Sequence, residues 1–161
     1  MSNKILFFHQ IASYGGKLRA TRRYYVRPAG SRNDIDVGPS RAGEDIDVIL
    51  IGNNGVSLFW IFYGPLLSGQ EVGLEVPLKE TAGWRHLEAS SPASREDLLS
   101  VLSDVAAILI RASFTDEMEA TYIKKVSLDD AVRHYTPNGL VMEVEECRCP
   151  MGYEGLSCEV K

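Results

Sequence analysis

Cysteine is absent from the chain until Cys147, and only Cys149 and Cys158 follow it among 161 residues. The body of the protein therefore has neither disulfides nor thiolate ligands to lean on. Its composition, 45% hydrophobic and 24% charged, suffices to bury a core without them. Long apolar runs are missing as well: Val56 to Tyr63 and Val105 to Ile110 are the longest, far short of the roughly 20 residues a membrane-spanning helix requires. The opening MSNKILFF has one lysine and a short apolar patch, too little for a signal peptide's apolar stretch of about 7–15 residues. Positive charge is scarce, with 17 Lys and Arg against 22 Asp and Glu and a net charge of −5, which argues against nucleic acid as the main partner. No asparagine begins an N-x-[ST] triplet, so N-glycosylation is not expected.

Catalytic signatures are also lacking. His9, His86 and His134 fall in three unrelated segments, without H-x-x-x-H or C-x-x-C spacing for a metal. A C-x-C followed by a distant third cysteine is a poor zinc pattern, and neither a nucleophile elbow nor a phosphate loop occurs. Asp34, Asp36, Glu44, Asp45 and Asp47 cluster enough to raise calcium, but without the ligand periodicity of an EF-hand a charged surface loop is the simpler reading. The sequence thus predicts a non-catalytic protein without cofactors.

What is present is strand periodicity. From Lys17 to Arg27 the even positions are Leu18, Ala20, Arg22, Tyr24 and Val26, an apolar face with Arg22 as misfit; Tyr14-Gly15-Gly16 ahead of it reads as a turn. Residues 27–45, rich in Pro, Gly, Ser, Arg and Asp, read as a long loop. Asp47 to Ile51 and Val56 to Tyr63 flank Gly52-Asn53-Asn54-Gly55 as a hairpin. Further strands are expected at Glu71 to Leu78, Ala107 to Phe114, Thr121 to Leu128 and Leu140 to Glu146. One short helix starts at Ser94, where Ser94-Arg95-Glu96-Asp97 approximates a capping box ahead of Leu98, Leu99, Leu102 and Val105. The fold class is all-β, an antiparallel β-sandwich or jelly roll with one short helix.

The end of the chain, EECRCPMGYEGLSC, resembles the second half of an EGF-like module, in which Pro150, Gly152 and Gly155 supply the backbone angles of a tight loop. Together with SYGGKLR, DVILIGNN, GWRH, SREDLLSVLSDVAAILIRASF and VSLDDA, in colinear order over nearly the whole chain, it is similar to the laminin IV type A domain, which lies inserted within a laminin-type EGF-like module. That resemblance implies a secreted, basement-membrane setting, other matrix proteins as partners, and a jelly-roll fold. It divides the chain into an atypical segment 1–10, where Phe8-His9 replaces the family's Gly-Asp pair, a laminin IV type A domain 11–144, and a half EGF-like module 145–161. It also implies a Cys149–Cys158 disulfide, with Cys147 paired to a cysteine outside this chain. The chain is accordingly read as part of something longer.

Two surface features invite binding. The odd face of the first strand carries Lys17, Arg19, Thr21, Arg23, Tyr25 and Arg27, extended by Arg32 and Arg41, a row of cations roughly 7 Å apart that could meet sulfated glycosaminoglycan. Phe59, Trp60, Phe62, Tyr63 and Trp84 could instead form a sugar-stacking platform, although core packing on both faces of that strand is the plainer expectation. The two functional readings are a structural matrix module and a carbohydrate-binding module of jelly-roll type.

Overall fold

The computed structural model describes residues 11–26, 46–115, 118–132, 136–137 and 150–153. Among them the order is a 3-10 turn at Ile11–Ser13, β1 (Lys17–Val26), β2 (Val48–Gly52), β3 (Ser57–Trp60), β4 (Val72–Pro77), a 3-10 turn at Glu80–Ala82, β5 (Arg85–His86), α1 (Arg95–Ser103), β6 (Val105–Ile110) and β7 (Met118–Leu128). The strands form two antiparallel sheets, one ordered β4-β1-β7 and the other β5-β3-β2-β6. The all-β sandwich with a single α-helix is as expected from the sequence.

Alternation in β1 sets its orientation: Leu18, Ala20, Arg22 and Tyr24 are buried while their odd neighbours face outward. Leu18, Leu50, Leu58, Leu74, Val76, Leu78 and Leu98 have no exposed surface, and both sheets and α1 contribute to this one core. Each such side chain stabilises the fold by about 1.5–3 kcal/mol over an exposed one. The misfit Arg22 lies inside too, with a consequence taken up below.

The turns follow their residues. Gly15 has φ 80°, and a Cβ at Gly16 would sit 2.7 Å from the Asp129 side chain, so only glycine lets the start of β1 pass the end of β7. In the β2–β3 hairpin Gly55 takes φ 85°, whereas Asn53 and Asn54 serve as anchors: Asn53 donates to the Asp104 carboxylate at 2.7 Å and Asn54 to the Ser100 carbonyl at 3.2 Å, tying the turn to the end of α1. The capping box is real, with Ser94 Oγ accepting from Asp97 N and the Asp97 carboxylate accepting from Ser94 N.

Three boundaries differ. Val105, placed in the helical pattern by its spacing, opens β6, because the chain leaves the helix at Asp104 with φ −150°. The strand expected to run to Phe114 ends at Ile110, and β3 stops at Trp60, after which Asp47 accepts from Phe62 N at 2.8 Å in place of a ladder bond. The two-residue strand β5 is too short to leave a periodicity. The loop expected at 27–45 and the strand at Leu140 to Glu146 lie outside the described residues.

Candidate functional site

The outer face of the three-stranded sheet collects the charges. Register places Arg19 beside Glu75 of β4 and Ser127 of β7, Thr21 beside Gly73 and Lys124, and Arg23 beside Tyr122. The cationic row of β1 therefore faces a carboxylate row. Lys17 Nζ lies 2.6 Å from Glu75, Arg19 binds the Asp129 carboxylate and lies 3.7 Å from Glu75, and Arg23 lies 3.2 Å from Glu71, which also holds Lys124. Glu71 and Glu75 were visible in the sequence on the odd face of their strand, and two odd faces of opposite charge were the signal for this pairing. Arg27, Arg32 and Arg41 lie outside the described residues.

Beyond Arg23 the character of the face changes. Tyr25 and Tyr122 meet edge to face with ring centroids 6.0 Å apart, and Tyr122 is 57% exposed. Arg23 donates to the Tyr25 hydroxyl at 3.1 Å and lies over its ring. Alongside, Lys125 has φ 53°, and the pairing slips by one residue between Arg19 and Thr21, a bulge that leaves Lys124 and Lys125 both exposed. Sequence reasoning overlooked this bulge, though two lysines between Ile123 and Val126 break the alternation of β7.

The aromatic residues singled out earlier do not make a platform. Trp84 and Phe59 are buried, Trp60 and Phe62 are half-buried against the core, and Tyr63 alone is exposed. Core packing on both faces thus holds for this strand except at Tyr63. Asp47 is not a surface-loop carboxylate; it is buried, with Oδ1 2.5 Å from Arg22. Asp34, Asp36, Glu44, Asp45, His9, His134 and all three cysteines fall outside the described residues, and among those described no group of three or more His, Cys, Asp or Glu could hold a metal. His86 contacts the Asp97 carboxylate at 3.1 Å, which places it at the cap of α1. A hollow of about 520 Å³ beside α1 is lined by Ile11, Leu99 and the helix side chains Arg95, Glu96, Ser100 and Ser103.

Several carboxylates are held below their ordinary values. The Lys124 hydrogen bond does so for Glu71, with Arg23 and Lys125 adding to it. Lys17 lowers Glu75, the Tyr14 hydroxyl lowers Glu80, and the Ser94 cap lowers Asp97. A carboxylate whose folded pKa lies below its unfolded one stabilises the fold fully above the unfolded value, and that contribution disappears as pH falls through the folded value. Thermal melts should therefore be flat from about pH 7 to pH 5 and fall progressively below about pH 4.5. A melting temperature constant down to about pH 3 would mean that these contacts contribute nothing to stability.

Known proteins share this pattern. The family model for Laminin B (Domain IV) matches residues 8–145. The basement membrane-specific heparan sulfate proteoglycan core protein of Mus musculus is 38% identical over 151 residues, covering 93% of this chain and 4% of the relative. The basement membrane proteoglycan of Caenorhabditis elegans is 36% identical over 152 residues, 93% of this chain and 4% of that protein. Human laminin subunit alpha-1 is 30% identical over 94% of this chain and 5% of its own length. The chain thus spans a small part of each of these relatives. In structure it is similar to the L4b domain of human laminin alpha-2, with a TM-score of 0.66 at 22% identity, over 81% of this chain and 70% of that one. With the two-sheet fold and a match over most of its residues, the chain belongs to the Laminin B (Domain IV) family.

Proposed function

We propose that this chain is a non-catalytic structural and interaction module of an extracellular, basement-membrane protein, with other matrix proteins as its partners. One observation carries the reading: the family match runs to residue 145, two positions before Cys147, so a complete matrix domain is followed directly by the cysteine-bearing segment. The two curated proteoglycan relatives are basement-membrane proteins by name. The interior polar groups support the same reading, since Arg22 and Asp47 bind each other and brace the two sheets.

The domain occupies 11–144 and the half EGF-like module 145–161. Within that module Cys149 and Cys158 form the disulfide, and Cys147 stays outside the loop they close. The described turn supports this: Gly152 has φ 89° and Tyr153 N donates to Pro150 O at 3.0 Å, a type II geometry that reverses the chain just after Cys149.

Trypsin provides the test, because Arg148 lies between Cys147 and Cys149. For the chain secreted from cells and alkylated without reduction, the peptide from Cys149 to Lys161 should be unalkylated and lighter by a pair of hydrogens than its reduced form. Cys147 should appear separately, in the peptide ending at Arg148. Alkylated Cys149 and Cys158 would overturn the oxidised, extracellular assignment.

A further inference from the structure

We infer that the outer face of the three-stranded sheet carries a binding site for a sulfated glycan, centred where Arg23, Lys124 and Lys125 gather beside the exposed ring of Tyr122. The inference rests on the extracellular assignment above, and it moves the point of contact away from the row along β1. Lys17 and Arg19 are matched by Glu75 and Asp129, which leaves that end of the row near neutrality. At the other end three cations share one carboxylate, Glu71, which is held by Lys124 and Arg23 directly. The carboxyl of Glu71 is kept low in pKa by Lys124 first and then by Arg23 and Lys125, consistent with all three acting on one point.

The surplus of positive charge is produced by the backbone. In a regular strand Lys124 and Lys125 would point to opposite faces, and one of them would be directed at the core. The bulge at Lys125 leaves both exposed. A lysine in the left-handed region costs about 1–2 kcal/mol that glycine would not, so the chain carries strain where the additional ammonium is exposed.

The neighbouring aromatics narrow the ligand class. Tyr122 is 57% exposed and is braced from the side by Tyr25, so its open face is available to the C–H face of a pyranose ring, while Arg23 fixes the Tyr25 hydroxyl. Across the sheet Gly73 carries no side chain, and a Cβ there would meet nothing within 4 Å. The face is therefore low at its centre, with cations and an aromatic ring at one margin, which suits an extended polyanion of rings lying across the strands. A small anion alone would not need the ring, and a neutral sugar would not need the cations.

Heparin hexasaccharide, titrated calorimetrically into the folded chain at several salt concentrations, provides the readout. Wild type should bind with a salt-dependent affinity. Lys125→Gly should weaken binding several-fold and make the salt slope shallower by about one unit, while its melting temperature holds or rises because the strained backbone relaxes. Tyr122→Ala should weaken binding with the slope unchanged. Glu71→Gln, which frees three cations, should tighten binding, an outcome that a purely structural role for this cluster would not produce. Lys17→Ser should leave the slope unchanged.

The inference is overturned if wild type shows no salt-dependent binding, if Lys125→Gly and Tyr122→Ala bind as wild type does, or if fully desulfated heparin or a poly-dT oligonucleotide binds as tightly as heparin. A Cys149–Cys158 disulfide without heparin binding would remove this site and leave the matrix assignment intact. Free thiols together with the predicted binding pattern would remove the matrix assignment and leave the anion site.

Discussion

Arg22→Met is expected to destabilise the domain by about 3–5 kcal/mol, enough to leave much of it unfolded at physiological temperature. Arg22 is 2% exposed and its guanidinium binds Asp47 Oδ1. The guanidinium also lies 4.9 Å from the centroid of Phe62 and 5.3 Å from that of Phe114, so it is enclosed by rings as well as paired. Removing it leaves the Asp47 carboxylate buried with only the Phe62 amide as a side-chain donor. An uncompensated buried charge accounts for most of the expected loss; forming the pair is itself near neutral, because both ions had to be desolvated. Position makes the pair matter further. Arg22 belongs to the three-stranded sheet and Asp47 immediately precedes β2 of the other, where its backbone accepts from Arg111 and donates to Trp60. The contact therefore registers one sheet on the other. In urea unfolding followed by Trp60 and Trp84 fluorescence, Arg22→Met and Asp47→Leu should each be strongly destabilising, while the double variant should cost well under the sum. Strict additivity, or an Arg22→Met midpoint equal to wild type, would show that the two side chains do not act as a pair. Arg22→Lys keeps the charge but loses the planar fork and the ring contacts, and should fall between.

How far the fold was legible depended on whether a residue's behaviour was local. The even face of β1, the hairpin across Gly52 to Gly55 and the helix start at Ser94 follow from alternation, turn chemistry and capping, all readable within a few residues. Arg22 was legible only as an anomaly, since its partner lies 25 positions away on another sheet and nothing local pairs them. The same applies to the cationic row. The sequence displayed its spacing but could not place Glu75 alongside Arg19, more than fifty residues later, or Asp129, 110 later. Short elements failed for a different reason: β5 has two residues and is held by the ladder to β3, which periodicity cannot register. The Lys124-Lys125 bulge lay between these cases, visible as a break in pattern that acquires meaning only from the partner strand's register.

Trp84→Ala is the second large loss, about 3–5 kcal/mol, and comparison with Trp84→Phe separates its two sources. The indole is 1% exposed within the main core and donates to the Pro77 carbonyl at 2.8 Å. It sits on the segment that leaves β4 in one sheet and enters β5 in the other, so burying it fixes the crossover between them. That crossover has little else to hold it: the Glu80–Ala82 turn has no side-chain cap at Lys79, and Tyr14 reaches across to Glu80 at 2.6 Å. Trp84→Phe keeps most of the packing volume but leaves the Pro77 carbonyl without its indole donor, and should cost about 1–3 kcal/mol. Trp84→Ala adds the cavity. For a domain of this size the alanine variant should melt roughly 10 °C or more below wild type, and the phenylalanine variant should lie between. A Trp84→Phe loss equal to that of Trp84→Ala would assign the whole effect to the hydrogen bond. An alanine variant within about 1 kcal/mol of wild type would show that the crossover is held by its backbone bonds alone, Ala93 to the Trp84 carbonyl and Leu78 to Gly16.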